Sequence, residues 1–112
     1  MKKTATLLAA LLMTSTAAYA EAETGTGNEF LAHCQSDVGQ LYCLGYVDGA
    51  VGTLVVAAAA YKSPRLVCVP EGVTVGQSAK VVERYLEAHP ENLHLGARVL
   101  VFAALMATWP CK

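Results

Sequence analysis

Basic residues are scarce in this sequence. Eight Lys and Arg are spread over 112 residues and nowhere cluster. Phosphate recognition needs clustered cations, so nucleic-acid binding is excluded. Metal-ligand spacings are missing too: the four cysteines are separated by 9, 25 and 43 residues, and neither CxxC nor HxxxH occurs. The chain also lacks GxSxG, a P-loop and GxGxxG, and no set of nucleophile, base and metal ligands converges in it, so we expect neither catalysis nor a cofactor. Charged residues make up only 15% of the chain, whereas 54% are hydrophobic, which excludes disorder.

The first 20 residues explain part of that apolar content. Lys2 and Lys3 open the chain, Ala5 to Met13 form an apolar core too short to span a bilayer, and Ala18-Tyr19-Ala20 supplies the small–x–small cleavage pattern. We read residues 1–20 as a bacterial export signal and residues 21–112 as one small domain located in the periplasm. The mature chain then has 92 residues and a net charge of about −3. Four cysteines in a short exported chain read as two disulfides.

Helical periods dominate the rest. Residues 21–27 are polar and glycine-bearing, predicting a frayed start. Asn28 is positioned to cap a short helix ending near Cys34. Leu41 to Tyr61 contains one charge, Asp48, and its length approaches that of a membrane span. Asp48 and the glycines oppose stable insertion, so we expect a long helix packed on several sides by protein. Gly45, Gly49, Gly52 and Val56 fall on one face, where a helix of the same chain or of a second subunit can approach closely. Asp48 itself must be hydrogen-bonded, paired or at the rim, and Arg98 or a tyrosine hydroxyl is its expected partner.

Pro64 and Pro70 then impose a loop, with a tight turn at Val69-Pro70-Glu71-Gly72. Val67-Cys68-Val69 is the one short strand candidate. Thr74-Val75-Gly76-Gln77 matches a capping box and launches a helix with apolar positions Val75, Ala79, Val82 and Leu86. His89-Pro90 stops it. A fourth helix, from about Leu93 to Thr108, is wholly apolar between Val99 and Ala107 and must be surrounded; dimerisation is the simplest way to supply its neighbours. The expected fold is therefore an all-α, disulfide-stabilised bundle of about four helices. If the helices alternate in direction, Cys34 shares one end with Cys43 and Cys68 the other with Cys111, which favours those two pairings among the three possible. His33, His89 and His94 match no ligand spacing and read as turn and helix-terminus residues.

From Cys43 onward the chain resembles the Rap/Tai immunity protein family. The resemblance runs through Cys43-Leu44-Gly45-Tyr46-Val47-x-Gly49, Cys68-Val69-Pro70-Glu71-Gly72-Val73-Thr74-Val75-Gly76-Gln77, Val81-Val82-x-x-Tyr85-Leu86-x-x-His89-Pro90-Glu91, Leu93-His94-Leu95 and the terminal Pro110-Cys111. Ser78 and Trp109 depart from it, standing where an apolar residue and phenylalanine are usual. The resemblance implies an all-helical, non-catalytic homodimer that occludes the cleft of a peptidoglycan amidase delivered by type VI secretion. Acidic loop residues such as Glu71 and Glu91 are our candidate contacts. Two competing readings are a small periplasmic acid-stress chaperone, or another helical binding module, and an envelope component spanning the membrane through Leu41–Tyr61.

Overall fold

The computed structural model describes residues 25–112. The export-signal reading of residues 1–20 lies outside the described residues. Those described form four α-helices with no strand: α1 (Gly27–Gln35), α2 (Gln40–Ala60), α3 (Val75–Ala88) and α4 (Ala97–Thr108), with a 3₁₀ turn at Pro90–Asn92. The fold is an all-α bundle closed by Cys34–Cys43 and Cys68–Cys111.

Of the start expected to fray, residues 21–24 lie outside the described residues, whereas residues 25–27 are held by hydrogen bonds. Thr26, not Asn28, caps α1: its hydroxyl accepts from the Glu29 amide (3.3 Å), and the Glu29 carboxylate accepts from the Thr26 amide (3.1 Å). Two further amides satisfy their hydrogen-bonding need on the α3–α4 connection, Gly27 N on Leu95 O and Asn28 N on Leu93 O, both at 2.9 Å. Those bonds explain why α4 starts at Ala97 rather than near Leu93, since the carbonyls of residues 93 and 95 are held out of a helix to receive α1. The approach is close enough that a Cβ on Gly27 would collide with the Leu100 side chain.

Cys34–Cys43 bridges the α1–α2 turn, where Gly39 N donates to Ser36 Oγ at 2.9 Å. In the α2–α3 connection the tight turn lies one residue later than the sequence suggests. Val73 N donates to Pro70 O (3.3 Å), which puts Gly72 at the third position with φ of 87°, where glycine avoids the Cβ clash. The strand candidate forms only an isolated bridge, Val67 to Pro110, alongside Cys68 N to Trp109 O (2.8 Å) and the Cys68–Cys111 disulfide.

α3 carries the capping box read from the sequence, with Gln77 N on Thr74 Oγ1 (3.1 Å) and Thr74 N on Gln77 Oε1 (2.7 Å). Its Ala79, Val82 and Leu86 are buried, while Val75 is exposed in the first turn and Ser78 takes a core position. Phe30, Val47, Val82, Leu86, Val101 and Leu105 form the centre of the core. Each large side chain there contributes about 1.5–3 kcal/mol by leaving water.

α2 departs most from expectation. It packs along one side only, through Cys43, Val47 and Ala58, because α1, α3 and α4 all gather on that side. The opposite side is open among the described residues.

Candidate functional site: an open apolar helix face

The open side of α2 presents Leu41, Gly45, Gly49, Gly52, Val56 and Ala59. Leu41 is 81% exposed and Val56 67%. A Cβ built on Gly45, Gly49 or Gly52 meets nothing within 4 Å, so no neighbour in the described chain requires those residues to be small. The face continues onto α4, where Val99 (62% exposed) and Met106 project outward and the helix is covered on its inner side alone.

Between the two helices runs a groove of about 400 Å³, with Tyr46, Ala50, Leu54, Val101 and Phe102 among its lining residues. Arg98 stands in its wall, with its guanidinium near enough to the Tyr46 hydroxyl to act on it electrostatically. Partial burial raises the Tyr46 pKa above the usual tyrosine value, and the neighbouring guanidinium pulls it back down. Tyr46 also belongs to an aromatic cluster, 4.7 Å from Phe30 and 5.8 Å from Tyr42 between ring centroids, with His33 4.8 Å from Tyr42. Arg98 is thus directed to Tyr46, and the expected Asp48–Arg98 or Asp48–tyrosine pairing does not form. Asp48 is exposed on the outer side of α2 with no hydrogen bond or ion pair among the described residues. The cause is geometric: position 48 lies about 160° around the helix from position 46 at 100° per residue.

The two candidate contacts Glu71 and Glu91 are both exposed, but they lie at opposite ends of α3. A helix of 14 residues separates them by about 20 Å. Glu91 Oε1 lies 3.1 Å from His89 Nδ1. Its pKa is lowered, first by its own backbone amide and then by His89. The His89 ring packs 4.4 Å from Tyr85 and so belongs to the end of α3. No three His, Cys, Asp or Glu side chains gather into a metal-holding group among the described residues.

The glycine face was legible in the sequence as a spacing, whereas the α2–α4 groove and the Tyr46–Arg98 contact were not. They join residues 52 positions apart and carry no local pattern. What the surface offers chemically is apolar contact with a few polar groups at its edge, the composition of a protein-binding face.

No curated protein and no solved structure matches the chain. The family model for Rap1a immunity proteins matches residues 26–111, which covers all four helices and both disulfides, and the chain therefore belongs to that family.

Proposed function

We propose that this chain is a periplasmic immunity protein that binds and blocks a peptidoglycan amidase delivered by a type VI secretion system. In this reading residues 1–20 are the cleaved export signal and residues 21–112 the working domain. The observation that carries it is a disulfide-closed body whose main surface feature is an uncovered apolar helix. Such a body suits binding by contact, and its stiffness limits the ordering cost that association would otherwise carry.

The protein acts as a homodimer in this account. The open stripe of α2 is about 30 Å long. Together with the outer face of α4 it offers a continuous apolar surface to a second copy, and a stable interface takes roughly 800 Å² per partner. The chaperone alternative is less well supported, because it calls for apolar surface released by acid. Here that surface is already open, and no Asp or Glu among the described residues is buried.

The reading is tested by affinity capture with the tagged mature protein, disulfides intact, from the periplasm and the secreted fraction, read by mass spectrometry. Recovery of one stoichiometric cell-wall amidase is the expected result. A stoichiometric partner with no action on the cell wall would refute it.

A further inference from the structure

A second groove, of about 580 Å³, lies between the outer side of α3 and the C-terminal segment. Its walls are rigid on both sides. Trp109 is partly buried against the core and accepts from Cys68 N at 2.8 Å, next to the disulfide that ties Cys111 to Cys68. The facing side is the first half of α3, fixed by the Thr74–Gln77 capping box.

The polar side chains in this groove are rich in donors. Thr74 Oγ1 and Gln77 Oε1 each accept one capping bond, while the Gln77 amide N–H₂ and the threonine O–H remain as donors. Lys80, Arg84 and Trp109 also line it, and none of these side chains can accept a hydrogen bond. Both acids of α3 are engaged, one of them by a lysine of the groove itself. Glu83 accepts from Lys80 at 3.0 Å, and Glu87 accepts from Gln35 of α1 at 3.1 Å. Arg84 is exposed and makes no hydrogen bond or ion pair among the described residues. The groove therefore combines the Arg84 cation, a lysine already paired with Glu83, amide and hydroxyl donors and the Trp109 side chain, with Val73 and Val81 as apolar flanks.

From this we infer that the groove binds an acidic segment of a protein partner, whose carboxylate reaches Arg84 while its apolar flank lies on Trp109. Arg and Trp are the residue types that most often dominate such contacts. A neutral sugar suits the groove less well, since it brings no charge to meet Arg84. The inference relies on the immunity reading only for the partner's identity as an amidase effector.

Trp109 is the sole tryptophan, so its emission reports on the groove directly. The probe is an acetylated, amidated six-residue peptide of glutamate and leucine titrated into the mature protein. Controls are the matching lysine–leucine peptide and muramyl dipeptide. The acidic peptide is expected to give a saturable emission change, weakened about tenfold or more by Arg84→Glu and within about twofold of wild type in Arg65→Glu, a charge reversal elsewhere on the surface. No change, an equal change with either control, or full retention in Arg84→Glu would overturn the inference. So would self-association that competes with the peptide, which would give the groove to a second copy. A parallel assay of amidase inhibition separates the two readings. Inhibition without a peptide response sinks the groove alone, and a peptide response without inhibition sinks the immunity reading alone.

Discussion

Replacing Gly52 by Leu separates the two uses that the open face of α2 can have. A glycine in the middle of a helix is about 0.8–1 kcal/mol less favourable than alanine, and leucine is close to alanine. Position 52 has open space where a Cβ would go, so the protomer gains that difference without a clash. For a domain of this size the gain corresponds to about 3–8 °C in melting temperature. In a dimer that seats a second helix on this face, the same side chain meets an occupied surface. Overpacking costs about 1–3 kcal/mol per site, and two-fold symmetry applies it twice. That weakens association by about thirtyfold at least, since each 1.4 kcal/mol is a factor of ten. Sedimentation equilibrium reads the second effect, and thermal melting at concentrations below the dimer dissociation constant reads the first. The expected variant is a more stable monomer. A lower melting temperature would show that the protomer itself needs the glycine, and unchanged association would place any dimer interface elsewhere.

Other perturbations probe the body behind that face. Gly27→Ala puts a methyl group against Leu100 and is expected to destabilise the fold by about 1–3 kcal/mol, read as a lower denaturation midpoint with unchanged slope. Replacing Cys68 and Cys111 by serine opens a 43-residue loop and is expected to lower stability by about 4 kcal/mol, a loss visible in urea unfolding. On the alkaline side, Tyr46 has a folded pKa above its unfolded one, so its contribution is present below about pH 10 and is lost as pH rises through the folded value; Tyr46→Phe should flatten that limb of the stability profile. On the acid side, Glu91 has a lowered pKa and contributes stability that disappears as pH falls through its folded value. With no acid buried among the described residues, helicity by circular dichroism should persist near pH 3, and collapse of near-ultraviolet structure there would favour the chaperone reading.

Much of this fold is written locally. The Thr74–Gln77 box, the His89-Pro90 stop and the 3-4 spacing of Ala79, Val82 and Leu86 each act within a few residues, and α3 follows them closely. The features that sequence reading placed differently depend on distant partners. Gly27 and Asn28 are ordered because amides of α1 need the carbonyls of Leu93 and Leu95, a contact that also delays α4. Asp48 and Tyr46 are two residues apart, yet one faces solvent and the other faces Arg98, so the partner of each is decided by where α4 crosses α2. The one-sided packing of α2 follows from the placement of the three other helices, which hydropathy along a single segment cannot encode.

The central claim is inhibition of a cell-wall amidase, and a stoichiometric titration tests it most directly. The amidase recovered with the tagged mature protein would digest purified peptidoglycan while the protein is added in increasing amounts. The account predicts that hydrolysis falls to zero at one protomer per enzyme and stays there. Full hydrolysis in the presence of excess folded, disulfide-bonded protein would contradict it.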